Sequence, residues 1–105
     1  MKESEVRSAI ARLVETDLPA LAPHLQSWVE SHLVTPREAT FHRDSEGDTP
    51  VRLWLVTDHV GFKDSSYRVV YDPDTEGFGL AVELKNGVDW YMGPYGSFAE
   101  TIWSM

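Results

Sequence analysis

The 105 residues contain no cysteine, which excludes a disulfide framework, thiol nucleophiles and thiolate metal sites. They also lack a glycine-rich phosphate loop and the Gly-x-Ser-x-Gly turn that exposes a serine nucleophile. No apolar run is long enough to span a bilayer, and Met1-Lys2-Glu3-Ser4-Glu5 leads into an amphipathic pattern without an apolar segment of signal-peptide type. A cytoplasmic chain with no membrane partner is the expectation. Positive charge is scarce as well: nine Lys and Arg face seventeen Asp and Glu, for a formal charge of -8. Arg37, Arg43, Arg52, Lys63, Arg68 and Lys85 stand singly, whereas nucleic acid requires clustered cations to release its counterions. An acidic surface instead favours solubility and steers toward basic partners.

What is present describes one folded domain over residues 1–105. A hydrophobic fraction of 42% with 11% aromatics is that of a globule able to offset its ordering entropy. Val6, Ala9, Ile10, Leu13 and Val14 fall on one stripe of a helix. Leu18-Pro19 should end it, because the residue before proline is pushed out of the helical region. Pro23 suits the first turn of a second helix carrying Leu25, Trp28, Val29 and Leu33, with Pro36 just beyond its end.

After Pro36 the period changes to alternation, and 39–43, 51–57, 67–71, 78–84 and 88–92 read as strands. Their connectors include Asp72-Pro73-Asp74-Thr75-Glu76-Gly77 and Asn86-Gly87, which favour antiparallel hairpins. Gly93 to Gly96 reads as a break before a short helix, capped by Ser97 with Glu100 three positions on. The order is α+β: two N-terminal helices, an antiparallel meander of four to five strands, and a short C-terminal helix.

Candidate chemistry is thin. Asp72, Asp74, Glu76, Gly77 and Glu83 have the spacing of an EF-hand calcium loop, but Pro73, Gly79 and the strand-like flanks depart from it, so an acidic hairpin turn is expected. His24 and His32 lie about 12 Å apart along a helix and cannot share a metal. His42 and His59 would need their strand ends, with Asp44 and Asp58, to converge. Loop acids such as Asp58, Asp64 and Asp89 read as solvated, and Ser65 and Ser66 near His59 have no exposing turn. No catalytic, metal or cofactor residue is assigned, and no cofactor is expected.

Alternation assigns Val51, Leu53 and Leu55 to the helix-facing side of the sheet with Tyr67, Val69, Tyr71, Phe78, Leu80 and Val82. The opposite face would then carry Arg52, Trp54, Val56, Arg68, Val70, Gly79, Ala81 and Glu83. Tryptophan beside arginine on a solvated face is the composition of an interface hot spot. Arg52, Trp54, Val56, Arg68 and Glu83 are therefore the candidate partner-binding residues, unless the terminal helix with Phe98, Ile102 and Trp103 covers that face. The size, acidity and element order are similar to those of small bacterial immunity and adaptor proteins, a resemblance in gross properties without a shared motif. The expected function is a non-enzymatic module binding a protein partner or a second copy of itself. The alternative is a small-ligand or enzyme pocket near Trp90, Tyr91, Tyr95 and His59.

Overall fold

In the computed structural model, whose described residues are 2–57 and 67–104, the first apolar stripe forms helix α1 (Glu3–Asp17), which buries Val6, Ile10 and Val14. A 3-10 turn, Leu18–Ala20, follows with Pro19 inside it. Helix α2 (Pro23–His32) starts on its proline and buries Val29. Strand β1 (Leu33–His42) begins directly after it, so Leu33 belongs to the sheet, not to the helix as expected. The register of β1 shifts between Leu33 and Arg37, and that bulge accommodates Pro36 inside a strand. Strands β2 (Pro50–Thr57), β3 (Tyr67–Asp72), β4 (Gly77–Glu83) and β5 (Asp89–Gly96) follow, and helix α3 (Phe98–Trp103) ends the fold. The fold is α+β with a five-stranded antiparallel meander.

The meander curls into a barrel closed by one parallel pairing, His42 with Trp90. Curvature comes from β5, whose register against β4 shifts between Phe78 and Gly79 and again between Leu80 and Ala81. Each shift leaves an additional residue, Tyr95 and Met92, on the bulged strand. The Gly93-Pro94 segment expected to break the chain is thus the bent half of a strand. Pro36 and Pro94 each remove a donor from the strands that flank the closure.

Closure creates two cores. The outer one lies between the helices and the barrel wall, joining Val6, Ile10, Val14, Leu21 and Val29 to Trp54, Val56, Val69, Tyr71, Phe78, Leu80, Phe98 and Ile102. The inner one fills the barrel with Phe41, Leu53, Leu55, Val70, Ala81 and Tyr91. Wall strands are consequently buried on both faces, and Leu53 to Thr57 form an unbroken buried run.

This arrangement corrects the expected faces. Trp54 pairs with Tyr71 and Leu55 with Val70, so the even positions of β2 share a face with the odd positions of β3. Trp54 and Val56 face the helices, while Leu53 and Leu55 point into the barrel. A shift of one residue exchanges every side chain between faces. The β2–β3 connection, which lies outside the described residues, does not settle that parity from its composition.

Two polar groups tie distant segments together. Thr57, fully buried, accepts the Val69 N–H on its Oγ1 at 2.9 Å. Replacing Thr57 with valine removes the acceptor and strands a buried N–H, at a cost of about 1–3 kcal/mol. A lower urea midpoint with an unchanged slope, and faster exchange of the Val69 amide, are the expected results; wild-type values for both would refute the assignment. At the other end of the fold, Asp17 Oδ2 accepts the Ala99 N–H at 2.9 Å, and Ser97 Oγ accepts that of Glu100 at 3.2 Å. The last turn of α1 and its own cap together fix the start of α3.

Candidate functional site

Curling the sheet leaves part of its outer face uncovered between the N-terminal turn of α1 and the β3–β4 turn. Glu3 and Val6 of α1, Glu38 of β1, Trp54 of β2 and Pro73 and Asp74 of the turn line a cleft of about 370 Å³ there. Glu38 and Trp54 are cross-strand partners, which places the carboxylate beside the indole. Asp72 shapes the other wall by accepting the Asp74 N–H at 2.9 Å.

Trp54 is 4% exposed and forms the floor. Its N–H meets no acceptor among the described residues and is not sealed from solvent. Arg7 lies 5.5 Å from the centre of its ring, within the range of a cation–π contact. The same guanidinium donates from Nε to the Pro36 carbonyl at 2.8 Å and approaches Glu3 at 3.5 Å. Glu38 accepts from Arg52 at 2.7 Å. Asp74 pairs with no cation among the described residues, so the cleft retains a net negative charge. The Glu3–Arg7 and Glu38–Arg52 pairs are solvent-exposed, and such pairs hold their partners weakly.

The expected partner-binding residues divide between the two faces of the sheet. Arg52, Trp54 and Val56 lie on the side of this cleft, with Trp54 and Val56 buried beneath α1 rather than solvated. Arg68 reaches Glu83 at 3.5 Å and Asp89 at 3.3 Å, an ion cluster at one mouth of the barrel. Residues 3, 6, 38, 73 and 74 complete the cleft from three further segments. Sequence spacing carries no sign of that convergence.

Among the described residues, the aromatic groups of the alternative pocket do not converge. Tyr91 belongs to the inner core and Tyr95 packs against the outer one, placing their rings on opposite sides of β5, while Trp90 Nε1 donates to the Arg43 carbonyl at 3.4 Å. Burial raises the Tyr91 hydroxyl pKa above its ordinary value, with Asp72 adding to the effect and Arg43, 5.7 Å from its ring, opposing it. His59 lies outside the described residues.

Metal chemistry gains little. Asp72 to Glu76 form a hairpin turn between strands, with Glu83 at the far end of β4. His24 is exposed, and His32 Nδ1 is 2.7 Å from the Trp28 carbonyl. Among the described residues, Asp44, Glu46 and Asp48 bring carboxylates within 4.8 Å of one another. Asp44, however, already accepts the Asp48 and Thr49 N–H groups at 2.9 and 2.7 Å. The Asp48 bond foremost holds its pKa below the usual value, consistent with a closed loop. Among the described residues, no helix is long and apolar enough to cross a membrane. No family model, curated protein or solved structure matches the chain.

Proposed function

We propose that the chain is a non-enzymatic protein-binding module that takes a basic side chain of its partner into the Trp54 cleft. The observation that carries this reading is the convergence at one place of three rim carboxylates, from Glu3, Glu38 and Asp74, beside a nearly buried indole whose N–H is left to donate to a backbone carbonyl of the partner. A guanidinium or ammonium entering there would pair with Asp74 through a charge-assisted hydrogen bond. The overall charge of -8 would speed the approach of such a partner and disfavour nucleic acid.

An array of ten-residue peptides of basic, neutral and acidic composition tests this. Retention is expected on basic peptides alone, and raising the salt concentration should reduce it. Glu38→Gln combined with Asp74→Asn should weaken retention up to about fivefold per charge removed. Equal retention by wild type and double variant would overturn the reading.

A further inference from the structure

Beyond Arg7, the space between α1 and β1 changes character. Ile10, Ala11, Val14 and Leu18 of the helix segment, Leu33, Val34 and Pro36 of β1, and Val56 line a second cleft of about 310 Å³, with Glu15 as its one charged residue among the described residues. Leu33 is 37% exposed there, beside other apolar groups. The two clefts are in line. The start of α1 lies opposite Glu38, Arg7 opposite Pro36, and the end of α1 opposite Leu33 and Val34. Helix and strand therefore run antiparallel along one groove, acidic at one end and apolar at the other. Arg7 spans its middle.

We infer that this groove binds an extended segment of a protein partner, with a lysine or arginine in the Trp54 cleft and a large aliphatic residue in the cleft beyond Arg7. The inference rests on the basic-partner reading above and adds the chemistry and spacing of the segment. Charge complementarity fixes the basic end, because Asp74 faces that cleft without a cation partner among the described residues. Apolar lining fixes the other end. The separation follows from helix geometry: Val6 lines the first cleft, and Ile10 and Val14 the second, four and eight residues further along α1. Those intervals are about 6 and 12 Å at the rise of an α-helix. An extended chain advances about 3.3 Å per residue, so the aliphatic residue stands two to four positions from the basic one. Between them the segment crosses Arg7, whose Nη2 meets no acceptor among the described residues and is placed to donate to a carbonyl of the segment.

The experiment uses synthetic peptides with one arginine and one leucine in an otherwise Gly/Ser background. Their separation runs from one to six positions in both orders, and each peptide has a control with serine replacing leucine. Affinity is read from the indole N–H resonance of Trp54 in the full chain. Wild type should bind leucine peptides of separation two to four at least about tenfold more tightly than their serine controls. Ala11→Gln places an uncharged polar side chain at the apolar end, on an exposed helix position where the fold tolerates it. That variant should lose the leucine gain and keep the affinity for the serine controls. Binding of basic peptides with no effect of leucine, a best separation outside two to four, or a leucine gain surviving in Ala11→Gln would each overturn the groove and leave the basic-partner reading standing. Failure of every arginine peptide to bind would overturn both.

Discussion

Replacing Trp54 with arginine is expected to abolish cooperative folding rather than remove a binding surface from an intact protein. Trp54 is 4% exposed and joins Val6, Ile10, Tyr71 and Phe78 in the outer core. Truncating a packed tryptophan to alanine already costs about 3–5 kcal/mol. Arginine adds a charge that must be desolvated or must force α1 off the sheet. Small domains have about 5–15 kcal/mol in total, so the variant should show no sigmoidal urea transition by far-UV circular dichroism. Trp54→Phe keeps an aromatic body in the same space and should retain a cooperative transition while losing the indole N–H. A native-like transition in Trp54→Arg would show that the indole is not part of the core.

Gly79→Ala carries the second large effect. A Cβ built on Gly79 would overlap the Gly93 carbonyl oxygen and lie 2.7 Å from Tyr91 Cε1. One of those neighbours is backbone, in the bulged part of β5, and the other is an inner-core ring. Neither yields without moving strand against strand. Overpacking of this kind costs about 1–3 kcal/mol and more where backbone must shift. The expected result is a midpoint drop at least as large as that of Thr57→Val, together with a changed environment of Tyr91 in near-ultraviolet circular dichroism. A wild-type midpoint would mean that the β4–β5 crossing is looser than its contacts imply.

Alternation places Trp54 on the opposite face of the sheet from the one it occupies, and the reason lies in what local pattern can carry. Helix α1 was legible because Val6, Ile10 and Val14 repeat at helical spacing and all three are buried. The strands were legible from alternation and turn residues. Pairing parity between β2 and β3 was not, since both parities give an apolar stripe when a strand is buried on its two faces. The continuous run Leu53-Trp54-Leu55-Val56-Thr57 was the available signal, because a strand with one wet face does not read that way. Barrel closure depends on bulges at Met92 and Tyr95, and near Gly93-Pro94 these look like the end of a strand. The cleft required tertiary proximity of residues 3, 38, 54 and 74. Only its acidity and its tryptophan could be read in advance.

The bond from Asp17 to Ala99 joins residues 82 positions apart, and the outer core likewise mixes α1 with Phe98, Ala99 and Ile102. A chain emerging from the ribosome makes α1 before these partners. Until residue 102 is available, the apolar stripe of α1 has only part of its cover. The nascent chain must therefore carry a partly covered apolar helix while the sheet is synthesised, and the outer core is completed only when α3 arrives.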